Sequence, residues 1–216
     1  VPGSVAYEAV IAGHDPAPRI TRSPDDIYML YTGGTTGMPK GVMYDMGGIT
    51  QSFIRIGFPV FGLGLPAIDE IPPIVAKLWS EGAPIVSIPT CPLMHGTGLF
   101  TAIGTISAGG CVVTTSGHKF DPAELYDTVQ RHQVNSLVIV GDAFAKPMLN
   151  ALEENPGRWD ISSVKVIVSS GVMWSTEVKK GLLRHNPGMI LTDSFGSSEA
   201  VGFGSSIMTA AGEVKT

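Results

Sequence analysis

The chain has 216 residues, 44% of them hydrophobic, and 19 acidic against 14 basic side chains leave a formal charge of -5. That is enough apolar material for a proper core, while the acidic balance speaks against a nucleic-acid or anionic-membrane binder, which needs concentrated Lys and Arg. The longest apolar region, about residues 98–113, is interrupted by threonines, a serine and glycines and falls short of a transmembrane segment.

Residues 1–25 carry Pro2, Gly3, Gly13, Pro16, Pro18 and Pro24 with weak periodicity, which reads as a linker or edge segment. Residues 26–31 form a strand and 43–57 a helix, followed by a Pro/Gly-rich apolar loop over 58–73 that covers something. A helix over 74–79, a buried strand over 84–89, a helix over 99–107 and a strand over 111–115 come next. Asp121, Pro122 and Glu124 supply an N-cap acid, a proline at the first helical position and a glutamate at the third, so a helix starts there and runs to about His132. Strands over 136–140, 164–168 and 189–192 then alternate with helices over 143–153, strained by Pro147, and 176–184. The rhythm predicts an α/β fold, a parallel sheet flanked by helices, with ligands collecting beyond the carboxyl ends of the strands. Cys91 and Cys111, far apart and without C-x-x-C spacing, read as two buried thiols of a reducing cytoplasm.

The most informative stretch is residues 28–41, YMLYTGGTTGMPKG. Glycines let the main chain approach an anion closely, and the hydroxyls and one lysine complete a phosphate-binding loop. It is not the phosphate loop of nucleoside triphosphatases, because Lys40 is followed by Gly41 rather than Ser or Thr, and Gly33, Gly34 and Gly37 have the wrong spacing for a dinucleotide fingerprint.

The run from Thr32 through Gly33, Gly34, Thr35, Thr36, Gly37, Met38 and Pro39 to Lys40 and Gly41 closely resembles the nucleotide-binding signature of the adenylate-forming enzymes. These include acyl-CoA synthetases, luciferases and peptide-synthetase adenylation domains. Phe195-Gly196-Ser197-Ser198-Glu199 resembles the same family's Tyr-Gly-x-Thr-Glu motif, with phenylalanine in place of tyrosine and serine in place of threonine. The resemblance implies that Phe195 packs on adenine, that Ser198 hydrogen-bonds the α-phosphate and that Glu199 holds Mg²⁺, a hard cation that takes oxygen ligands. Gly171, Val172, Met173, Asp193, Ser194 and Gly196 join the nucleotide set by their places beside these motifs. Residues 92–99 resemble the motif in which His95 borders the acyl pocket, and Phe144 and Gly171 line the same pocket by position. The remaining histidines have no metal-ligand spacing.

The likeness covers roughly residues 26–204 and implies a partial AMP-binding domain over 26–216, part of the large N-terminal domain of an acyl-CoA synthetase. The chain is read as an internal piece that lacks the C-terminal lid domain, so the isolated chain is expected not to complete the reaction. The implied chemistry joins a carboxylic acid, fatty or steroid-like, to ATP with Mg²⁺ and passes the acyl group to CoA. A carboxylate is already a nucleophile, so Thr32, Lys40 and Glu199 are assigned to alignment and charge neutralisation rather than to general-base work. Loading of a carrier protein and a non-catalytic nucleotide-binding module are the alternatives within this reading. A serine hydrolase is the rival from another class, because Gly196-Ser197-Ser198-Glu199-Ala200 approximates a nucleophile elbow, but no Asp or His follows Ser198.

Overall fold

The structure, a computed structural model, describes residues 3–33, 37–197 and 200–215. Its centre is the run Ser136–Ile139 (β5), whose four residues are all buried, as a parallel strand covered on both faces requires. On one side β5 pairs in parallel with Val86–Pro89 (β3), which pairs with Cys111–Val112 (β4). On the other side it pairs with Val166–Ser170 (β6), and β6 with Ile190–Ser197 (β7), again in parallel. Ala200–Thr209 (β8) and Gly212–Lys215 (β9) then extend the sheet antiparallel, giving the order β4-β3-β5-β6-β7-β8-β9 among the described residues.

The helices are Tyr7–Ala12 (α1), Met46–Val60 (α2), Ile71–Ser80 (α3), Gly96–Ser107 (α4), Pro122–His132 (α5), Asp142–Glu154 (α6) and Thr176–His185 (α7). α5 starts where its sequence says: Asp121 Oδ1 accepts from the Ala123 amide at 2.8 Å and Pro122 occupies the first turn. Glu124 reaches outward and accepts from the Ser116 amide, the Ser116 hydroxyl and the Gly117 amide, tying the preceding loop to the helix. α6 continues through Pro147. The main core joins Leu125, Tyr126 and Val129 of α5, Met148 and Leu152 of α6 and Leu182 of α7 to Leu137, Ile139, Ile167 and Leu191 of the strands. Burial drives the Tyr126 phenol far above its ordinary pKa, and its hydroxyl donates to Met148 O at 3.0 Å.

Five departures from the sequence reading matter. The expected 43–57 helix is preceded by a strand, Lys40–Asp45 (β2), which pairs antiparallel with Ile27–Thr32 (β1); Asp45 ends the strand and caps α2 by accepting from the Gly48 amide at 2.6 Å. Residues 58–73 are partly helical, with α2 running to Val60, a 3-10 turn at Ile68–Glu70 and α3 beginning at Ile71. The expected linker contains α1, with no buried residue. The sheet does not close at residue 192: β7 runs on to Ser197, and β8 and β9 follow. Cys91 is buried, which pushes its thiol pKa up, but Cys111 is exposed. Among the described residues no helix is long and apolar enough to cross a membrane.

Candidate nucleotide and acid site

The segment expected to bind phosphate lies between the two paired strands β1 and β2. Thr32 stands opposite Lys40, and the Thr32 hydroxyl faces Lys40 O at 3.5 Å, so the two residues bracket the loop. Gly37 has φ +134, a conformation that only glycine adopts without strain. Lys40 is exposed as the first residue of β2, while Gly34, Thr35 and Thr36 lie outside the described residues. The hairpin is seated by aromatic contacts: Tyr28 and Tyr44 meet Phe100 of α4 at 6.2 and 5.5 Å, and Phe53 of α2 meets the same ring at 5.8 Å.

The second group forms at the carboxyl ends of β6 and β7, where Ser169 pairs with Asp193 and Ser170 with Ser194. These are the two segments expected to lie side by side, although Asp193 to Ser197 is strand rather than loop, with an irregularity between Phe195 and Ser197. Phe195 is 75% exposed, and Met173, in the segment after β6, is 80% exposed. Ser198 and Glu199 lie outside the described residues.

The Gly171–Met173 segment is held from beneath by the junction of β5 and α6. Ser169 Oγ accepts from the Gly141 amide at 3.0 Å, and the Asp142 amide donates to Met173 O at 3.1 Å. Gly141 has φ +53, and a Cβ there would stand 2.5 Å from Met173 O, so no other residue fits. The Asp142 carboxylate accepts from the Ser175 amide at 2.9 Å and its hydroxyl at 3.1 Å, and Lys146 lies 3.2 Å away. Partial burial raises the Asp142 pKa, but the Ser175 hydrogen bonds and the Lys146 charge outweigh it and leave the carboxyl below its ordinary value. From the other side Lys179 of α7, 3% exposed, reaches Asp193 Oδ2 at 3.2 Å.

His95 is exposed and caps α4, its Nδ1 accepting from the Thr97 amide at 3.3 Å. Phe144 stacks edge-on to Phe120 at 4.8 Å and lines a cavity of about 340 Å³ with Cys91, Leu93, His118 and Lys119. Neither His95 nor Gly171 is among its lining residues, so of the three expected acyl-pocket residues only Phe144 lines this cavity. Sequence reasoning missed Lys179; the available signal was a lysine at a core position of α7, between Val178 and the buried Leu182 and Leu183.

The AMP-binding enzyme family model matches residues 3–216. The chain is 39% identical over 207 residues to a 3-oxocholest-4-en-26-oate–CoA ligase of Rhodococcus rhodochrous, covering 94% of this chain and 36% of that protein. It is 38% identical over 198 residues to a medium/long-chain-fatty-acid–CoA and 3-oxocholest-4-en-26-oate–CoA ligase of Mycolicibacterium smegmatis, covering 90% and 35%. Among solved structures, the amide bond synthetase McbA of Marinactinospora thermotolerans superimposes with a TM-score of 0.68 at 21% identity, over 93% of this chain and 36% of that one. The chain thus spans little more than a third of the length of these relatives. With the family model matching residues 3–216, nearly the whole chain, the chain belongs to the AMP-binding enzymes.

Proposed function

We propose that this chain is the nucleotide- and acid-binding part of an ATP-dependent acid-thiol ligase that activates a fatty or steroid-like carboxylic acid as its acyl-adenylate and transfers it to CoA. The carrying observation is the parallel juxtaposition of the β6 and β7 ends, which sets an exposed aromatic ring beside a loop anchored by Gly141 and Asp142. The 35–39% identity to ligases named for fatty and steroid acids supports the substrate class. Two free cysteines suit a reducing, cytoplasmic setting.

In this reading Phe195 stacks on the base, and the backbone of the hairpin turn with Lys40 takes the phosphates. The acid's carboxylate attacks the α-phosphorus and pyrophosphate leaves; the protein's work is alignment and charge neutralisation. Mg²⁺ carried by a triphosphate keeps waters and phosphate oxygens and needs only one or two protein carboxylates. Glu199 would supply one such carboxylate. The apolar side of the Phe120–Phe144 cavity suits a hydrocarbon arm of the substrate, with Lys119 and His118 beside it.

Calorimetric titration of the chain with MgATP, beside a K40A/E199A double variant, tests this. Saturable binding that the variant loses is expected, as is tighter binding of a non-hydrolysable acyl-adenylate bearing a long alkyl or steroid chain. Equal binding by both proteins would remove the site from these loops.

A further inference from the structure

The cavity of about 340 Å³ lies beyond the carboxyl ends of β3 and β4, with Cys91 and Thr114, just past those strands, in its lining. β3, β5, β6 and β7 run parallel in that order, so the cavity and the Ser170–Ser194 strand ends share one edge of the sheet. Three strand spacings separate β3 from β7, about 14 Å. A short acid held beside the nucleotide does not cover that distance, whereas a long one does. Phe144 is the one expected acyl-pocket residue in the lining, and His95 and Gly171 are not. The cavity is therefore placed for the far end of the acid rather than for its reacting carboxyl group.

Its lining combines two chemistries. Phe120 and Phe144 meet edge-on at 4.8 Å and both pack on the main core, which makes them a fixed apolar wall. The polar lining includes Thr114, His118 and Lys119. Its one acid, Asp121, is already engaged, because Oδ1 accepts from the Ala123 amide at the start of α5. Lys119 is exposed and enters no ion pair among the described residues. An ammonium that water still reaches can take a carboxylate without the desolvation cost of a buried pair. The Thr114 hydroxyl and a ring N-H of His118 are further donors for the same group. A chain that is hydrocarbon along its length and ends in a carboxylate uses both chemistries, whereas one ending in a methyl group uses the wall alone.

We propose that this cavity receives the far end of a long acid and that Lys119 makes it select a chain ending in a second carboxylate over one ending in a methyl group. This rests on the ligase reading proposed above and names its substrate class as long dicarboxylic acids. The test is calorimetry with N-acyl sulfamoyl adenosines, non-hydrolysable stand-ins for the acyl-adenylate. The long pair carries hexadecanoyl or hexadecanedioyl chains and the short pair butanoyl or succinyl chains. The unaltered chain is expected to bind the hexadecanedioyl compound about fivefold more tightly than the hexadecanoyl one, the upper end for an ion pair that water reaches. The short pair should show no such preference, because neither member reaches Lys119. K119M, at an exposed position, should keep its melting temperature and lose the preference, and K119R should restore most of it. If K119M does not fold, K119Q decides by the same ratio. Equal binding of the long pair, or a preference for the methyl end, overturns the proposal while leaving the nucleotide site standing. A folded K119M or K119Q with the original ratio overturns it too, as does the same preference in the short pair. Binding of none of the four compounds overturns the ligase reading and this inference with it.

Discussion

Asp142 at the start of α6 accepts two hydrogen bonds from Ser175, the residue before α7, at 2.9 and 3.1 Å. One carboxylate therefore joins the helix that follows β5 to the helix that follows β6, and it also steadies the segment between β6 and α7. Replacing it with alanine leaves the Ser175 amide without its acceptor and removes the Lys146 ion pair. D142A should lower unfolding free energy by about 1–3 kcal/mol, measured by urea titration at neutral pH.

The same carboxyl has a pH signature. Its folded pKa is depressed below the ordinary 3.8. Its contribution is therefore fully present above that ordinary value and is lost as pH falls through the lower, folded one. The difference in stability between the unaltered chain and D142N should shrink as the solution is acidified below that ordinary value. A difference that stays constant across this window would show that the charge of Asp142 does not couple to folding.

Gly141 and Gly157 provide a matched pair for measuring close approach. Both have positive φ, +53 and +75, but a Cβ at Gly141 would meet Met173 O at 2.5 Å, whereas one at Gly157 meets nothing within 4 Å. G157A should cost only the left-handed penalty of about 1–2 kcal/mol. G141A must add a backbone displacement, so its melting temperature should fall by clearly more than that of G157A. Similar losses would mean that the 171–173 segment yields freely.

Much of this is legible in the chain, and what is not has a physical reason. The elements from residue 111 to residue 192 are readable because β5 and β6 are short apolar runs, and the helices between them carry caps such as Asp121 and Pro122. β2 is hidden because KGVMYD runs without a break into the apolar start of α2, and it is a strand only because β1 lies opposite it. β8, AVGFGSSIMT, is Gly- and Ser-rich, and its place is set by pairing with β7 rather than by its own propensity. Neighbouring strand ends in a parallel sheet can be foreseen, and β6 and β7 do bring Ser170 beside Ser194. A buried lysine cannot be seen in the same way, since its partner Asp193 is met only in the tertiary structure.

Phe195 separates binding from stability more cleanly than any other residue of the site. At 75% exposure its ring contributes little to the core, so F195A should change unfolding free energy by no more than about 0.5 kcal/mol. If the ring is the surface on which the base lies, the same change should weaken MgATP binding by about 1–3 kcal/mol, the range for loss of one aromatic stacking partner. F195Y restores the stacking surface and should bind as tightly as the unaltered chain, because the hydroxyl adds a polar edge without removing the ring face. Calorimetry and thermal unfolding on the three proteins give both quantities. A variant that loses stability but keeps its affinity would place Phe195 in the packing of β7 and take the base elsewhere along the strand ends.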